Sequence, residues 1–147
     1  MTDESPSGGK REAGVAYKPR PSAYVLLVDA EQQVATVQSP QGWFLPGGGV
    51  DAGESYEQAA VREAHEECGF EVAHLRFICE ARQFVRSLKY HEFYEKQCRF
   101  FSAGLIGQVG QGEADHTTIW LTQDEALRSL THESHRFAVS TFFSGDT

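Results

Sequence analysis

Residues Gly48–Phe70 read GGVDAGESYEQAAVREAHEECGF, a glycine-rich turn followed by a run holding Glu54, Glu57, Glu63, Glu66 and Glu67. Ser55 and Gln58 have the spacing of a capping box and Gly69 supplies a stop, so the pattern predicts a helix from near Ser55 to Cys68. Taking Glu63 as zero, a turn of about 100° per residue puts Glu66 near −60° and Glu67 near +40°. On the same wheel Ala60, Val61, Ala64 and Cys68 fall between roughly +60° and +160°, so the three carboxylates border the apolar stripe and do not point away from it. Like charges at these spacings cost about 0.2–0.5 kcal/mol per pair on an exposed helix, and more where water is excluded. A positive partner is called for.

Grouped carboxylate oxygens suit a hard divalent cation, Mg²⁺ or Mn²⁺, and not the thiol and imidazole sites that zinc prefers. Such a cation also explains how an acidic protein could hold a phosphate chain, by standing between two sets of negative oxygens. An ExxEE run with nothing around it would read more simply as a solvated acidic helix. The surrounding chain therefore decides.

At 147 residues, 40% hydrophobic and 23% charged, the chain has the size and composition of one domain with a real core. It holds no apolar run near the roughly 20 residues of a membrane helix. Residues 1–18 mix Ser, Gly, Pro and both signs of charge and are expected to form a poorly ordered tail before a domain spanning 19–147. Cys68, Cys79 and Cys98 are odd in number and lack zinc-knuckle spacing, which fits core thiols in a reduced cytoplasmic setting. A formal net charge of −8 argues against nucleic-acid partners, which require many Lys and Arg contacts to phosphate. The stretch from Arg76 to Arg99 is locally basic and fits an anionic ligand or a solvated strand equally well.

Two apolar runs, Tyr24–Val28 and VATVQ, flank DAEQQ and predict adjacent strands joined as a hairpin. SPQGWFLPGGG then breaks regular structure. Strands are expected around Leu75 to Phe84 and Phe93 to Ala103, then TIWLT, a second capping box at Thr122 and Glu125 opening a short helix, and a final amphipathic helix carrying Phe137, Val139 and Phe142. Strands on both sides of a central helix, with more helix at the end, indicate an α/β fold with a mixed sheet covered by helices.

Gly48, Glu54, Arg62, Glu63, Ala64, Glu66, Glu67, Gly69 and Phe70 stand at the positions of the signature that marks the Nudix hydrolase family, and the chain resembles that family through most of residues 20 to 143. The resemblance implies the Nudix fold, with the mixed sheet sandwiched between helices. It further implies that Glu63, Glu66 and Glu67 bind divalent metal, with Gly47 offering a backbone carbonyl, while Gly48 permits the turn and Glu54 pairs with Arg62 to tie loop to helix. Family members hydrolyse a phosphoanhydride of a nucleoside diphosphate derivative by attack of water on phosphorus, with Mg²⁺ or Mn²⁺ as cofactor. The base is Glu63 or Glu113, since a further acidic residue often reaches the metals from the region of Glu113. Arg82, Arg86, Lys89 and Arg99 are candidate contacts to distal phosphate or sugar, and Tyr24, Phe84, Tyr90, Phe93, Tyr94 and Trp120 to the base. The expected partner is a small nucleotide, a tri- or polyphosphate or another diphosphate derivative, with no membrane partner. Many members dimerise, and the aromatic strand from Phe93 to Phe101 offers an edge for a homodimer. A Nudix-fold module that binds without turnover and a Ca²⁺-stabilised interaction domain are the competing readings. The intact glutamates weigh against the first, and Arg62 and the glycine turn are left unexplained by the second.

Overall fold

A computed structural model describes residues 5–87 and 92–145, so Lys89 and Tyr90 lie outside the described residues. Five strands form one sheet in the order β1 (Ser7–Gly8), β6 (Phe70–Ser87), β7 (Glu92–Gln108), β2 (Lys18–Leu26) and β5 (Gly47–Gly49). A second sheet has the order β4 (Gly42–Phe44), β3 (Val34–Ser39) and β8 (Thr117–Leu121). The helices are α1 (Tyr56–Cys68), α2 (Gln123–Ser129) and α3 (Glu133–Ser144).

The period-2 alternation of β2 divides the core. Ala23, Val25 and Leu27 pack with Ala59, Ala60, Ala64 and Cys68 of α1, while Tyr24 and Leu26 pack with Phe100 of β7 and Ala138 and Val139 of α3. Helices therefore cover both faces of the mixed sheet, and a strand buried on both faces reads as the unbroken apolar run AYVLL.

β2 and β3 do not form the expected hairpin. They belong to different sheets, and a Val28–Val34 bridge with the Ala35 N–H bond to the Leu27 carbonyl and the Asp29 N–H bond to the Gln33 carbonyl links them only next to the turn. The Asp29 side chain accepts from the N–H groups of Glu31 and Gln33 and turns the chain, but β2 is committed to parallel pairing with β7 and antiparallel pairing with β5. β7 is likewise no edge for a homodimer, because β6 and β2 occupy its two sides.

The segment expected to be poorly ordered is placed from Ser5 onward. Ser7 and Gly8 pair in parallel with Arg82 and Gln83, and Tyr17 sets its ring edge-on to Phe84 and Phe93. Val61 is exposed where the wheel put it in the buried stripe, because the stripe of α1 lies further round, through Ala59, and Phe137 of α3 is likewise exposed. Both capping boxes are formed, at Ser55 and at Thr122. Among the described residues no helix is long and apolar enough to cross a membrane.

Candidate active site

The buried arc of α1 runs from Ala59, near −40° on the wheel, to Cys68 near +140°. Glu63 and Glu67 thus lie within the buried arc and not at its border, with side chains 17% and 14% exposed. Glu66, outside the arc, is 50% exposed. What admits two carboxylates there is the glycine strand β5. A Cβ on Gly48 would sit 2.7 Å from the Glu63 carboxyl carbon, so a larger residue would displace that carboxylate, and the Gly47 N–H donates to Glu67 Oε1 at 2.7 Å.

Arg62 ties the loop, the strand and the helix together. Its Nε and Nη2 donate to the two oxygens of Glu54 at 2.7 and 2.9 Å, Nη2 also to the Gly49 carbonyl at 3.0 Å, and Nη1 to Glu63 Oε1 at 2.9 Å and Glu66 Oε2 at 3.2 Å. All of the guanidinium's donors are thereby directed, in the planar fork that only Arg provides. The Arg62 hydrogen bonds, with the Asp51 N–H, hold the Glu54 carboxyl down at about 2, and Glu54 in turn raises Arg62.

The opposite holds deeper in. Burial pushes the Glu67 carboxyl up to about 8 against the Gly47 N–H, with Glu63 and Glu113 adding repulsion. Burial likewise raises Glu63, although Arg62 opposes it. Two largely buried acids that repel one another fit a hard cation, which would relieve both penalties.

The loop between β7 and β8 closes the far side. The Glu113 N–H donates to the Glu67 carbonyl and the Val109 N–H to the Gly69 carbonyl, which docks the loop on the end of α1. His116 Nδ1 consequently stands 3.5 Å from both Glu67 Oε2 and Glu113 Oε2, and its Nε2 is 3.7 Å from Asp115. The oxygen-only expectation had no place for this imidazole. Among the described residues, Glu113, Asp115 and His116 bring one ligand atom each within 4.8 Å of one another, whereas Arg62 lies between Glu63 and Glu66. Gly112 makes the docking possible: at φ +76° its backbone is left-handed, and a Cβ would collide with the Glu67 carbonyl. Gly112→Ala is expected to cost about 1–3 kcal/mol and to unprotect the Glu113 amide. Urea titration and hydrogen exchange check this, and an unchanged midpoint with full protection would refute it.

Gly47, Gly48 and Glu67 form one side of a cleft of about 470 Å³. Of the candidate basic residues, the structure brings Arg86 to this cleft and leaves Arg82 and Arg99 out of it. Those two line a separate hollow, Arg82 3.9 Å from Glu95 and Arg99 3.5 Å from Glu80 and 4.3 Å over the Tyr56 ring. Strand alternation is the reason: Arg99 and Gln97, the register partner of Arg82, point to the face opposite Lys96. Instead the cleft receives Arg20, which carried no signal in the sequence, and Lys96 of the locally basic stretch, with Tyr94, Phe44 and His132. Burial lowers His132 to about 4, so its ring, 5.1 Å from Phe44, is neutral at physiological pH. Trp120 packs against Phe70, and Phe84 against Tyr17, away from the cleft.

The fold is an α/β sandwich that sets a glycine strand against a helix of inward-facing glutamates. The chain belongs to the NUDIX domain family, whose model matches residues 18–141. RNA pyrophosphohydrolase of Rhodospirillum rubrum is 40% identical over 72 residues, 47% of this chain and 41% of that protein. A Bacillus subtilis relative is 47% identical over 53 residues, 36% of its length, so the match spans less than half of these curated relatives. A NUDIX hydrolase from Nitrosomonas europaea shares the fold at TM-score 0.70 and 17% identity, over 87% of this chain and 90% of that one. The MutT NUDIX hydrolase from Burkholderia pseudomallei does so at 0.69 and 23%, over 84% and 98%.

Proposed function

We propose that this protein is a divalent-metal-dependent pyrophosphohydrolase that cleaves a phosphoanhydride bond of a nucleoside tri- or polyphosphate, or of another nucleoside diphosphate derivative, by attack of water on phosphorus. The observation that carries the reading is the placement of Glu63 and Glu67 inside the buried arc of α1, where ionised carboxylates are costly unless a cation faces them. The names of the relatives, a pyrophosphohydrolase and NUDIX hydrolases, support the same reaction class.

Glu63, Glu66 and Glu67 would hold Mg²⁺ or Mn²⁺, with the Gly47 carbonyl as a backbone ligand. Bound there, the metal supplies charge neutralisation at phosphorus and a water of lowered pKa. The chain's own groups do the rest. The Gly47 N–H fixes the Glu67 carboxylate, Arg62 fixes Glu63 and Glu66, and the docked loop sets Glu113 beside His116, which lines the cleft. Glu113 is half-exposed beside His116, which suits a base that must receive a proton from water and release it to solvent; Glu63 is the other candidate.

Purified protein with Mg²⁺ or Mn²⁺ and a nucleotide panel should yield products cut at a P–O–P bond, and chelation should stop the reaction. Absence of turnover with every nucleotide would leave a binding module. Glu113→Gln then separates the bases: slowed chemistry at unchanged metal affinity assigns the role to Glu113, and undiminished turnover assigns it to Glu63.

A further inference from the structure

Along β2 and β7 one face runs outward from the core. The register partners Leu26 and Ser102, Tyr24 and Phe100, Ser22 and Cys98 give way at the mouth of the cleft to Arg20 and Lys96, two cations set side by side on parallel strands. Like charges on neighbouring strands are destabilising. On its other side Lys96 faces Gln83, a neutral amide whose Oε1 is taken by the Ser134 N–H. Among the described residues neither Arg20 nor Lys96 has a carboxylate within ion-pair distance, although each of the ion pairs nearby takes up other groups: Lys18 with Glu92, Arg82 with Glu95. Arg20 is instead steadied by the Tyr94 ring, 5.5 Å from its guanidinium carbon, and Tyr94 is itself anchored by a hydrogen bond to Glu92. Burial lowers the Lys96 ammonium and Arg20 pushes in the same direction, against Cys98 and the more distant Glu67 carboxylate across the cleft, which is beyond ion-pair distance. A fold that bears this repulsion in a cleft, with counter-ions within reach of the same strands, is arranged for an anion that arrives from outside.

We propose that Arg20 and Lys96 form a subsite for a phosphate beyond the two that flank the scissile bond, so that the cleft selects nucleotides with three or more phosphates over those with two. The proposal rests on the hydrolase reading for the direction of the bound chain. Two adjacent cations match a terminal phosphate, which carries about two negative charges near neutral pH. A nucleobase brings no net charge to neutralise the pair, and in a diphosphate-linked substrate both phosphates would be held, through metal, at the glutamates.

The test compares a nucleoside triphosphate with a nucleoside diphosphate sugar in the full chain and its Lys96→Met and Arg20→Gln variants. Losing a charge-assisted contact should reduce kcat/KM on the triphosphate about 10- to 100-fold, mostly through KM, and leave the diphosphate sugar within about 2-fold. Equal losses on the two substrates, or none, overturn the proposal. Inorganic tripolyphosphate, titrated calorimetrically in chelator, gives a readout free of turnover: at least ~10-fold weaker binding in either variant is expected, and unchanged binding refutes the subsite. If the parent protein cleaves neither nucleotide, the hydrolase reading fails while the titration still decides the subsite. Relief of the like-charge pair should also raise the ligand-free Tm of Lys96→Met by about 3 °C. A lowered Tm with equal losses on both substrates would make Lys96 a structural residue and end the proposal.

Discussion

Glu67→Gln is expected to remove at least about 10³-fold of turnover while making the metal-free protein more stable at alkaline pH. The amide keeps the shape of the side chain and an oxygen to accept the Gly47 N–H, so what is lost is charge at the metal-facing wall. The sign of the stability effect follows from linkage. The folded-state carboxyl, pushed to about 8 from an unfolded value of 4.5, keeps its proton over a range in which the unfolded chain has released it. Stability of the metal-free protein therefore falls as pH rises from about 4.5 to about 8, and levels off above that. Gln removes this slope. Urea midpoints in chelator at acid, neutral and alkaline pH compare the two proteins, and Mg²⁺ should cancel the decline in the parent alone. Parallel pH curves, or a variant that still turns over substrate at the parent rate, would sink this account of Glu67.

Arg62→Lys should be nearly as damaging for a different reason. Lysine keeps the charge but cannot reproduce a fork that binds both Glu54 oxygens, the Gly49 carbonyl, Glu63 and Glu66 together. The first loop would come loose from α1, and displacement of the glutamates by about 1 Å is enough for a loss of about 10²-fold in kcat/KM. Because the network is only partly buried, we expect Tm to fall by roughly 5 °C and not by the full amount for breaking a buried pair. Glu54 reports the same loss with the opposite pH sign from Glu67. Its depressed carboxyl contributes stability above the ordinary carboxylate range that disappears only as pH falls through about 2, and Arg62→Lys should move that acid limb upward. Wild-type activity and an unshifted acid limb in Arg62→Lys would show that the fork is dispensable.

What could be read in the sequence was whatever is written locally. The limits of α1, its caps and the face shared by its glutamates follow from spacings of three and four residues, and the same holds for the Thr122 cap. Register across strands is not written locally. AYVLL and VATV look like partners in a hairpin because each is apolar and a turn separates them, yet their partners lie far along the chain in β7 and β8. GWF and GGG, as β4 and β5, have no periodicity to detect. Arg20 is an ordinary strand residue until β2 pairs with β7, and charge density alone does not separate Lys96, which lines the cleft, from Arg82 and Arg99, which line the other hollow. In the N-terminal segment composition carries no trace of the pairing with β6, for which Gly8 has the bare backbone that fits between Gln83 and Glu133.

The parallel pairing of β2 with β7 also sets an order of events during synthesis. Lys18 meets Tyr94 across 94 − 18 = 76 positions, so the two halves of the cleft are joined by a long-range contact that must wait on loop closure. The α1 segment with its glutamates can become helical while still at the ribosome, but Arg20 gains its neighbour only after β7 has emerged. A nascent chain would thus hold its acidic half in place before it could grip a phosphate, and nucleotide capture would report that the last long-range pairing of the sheet had closed.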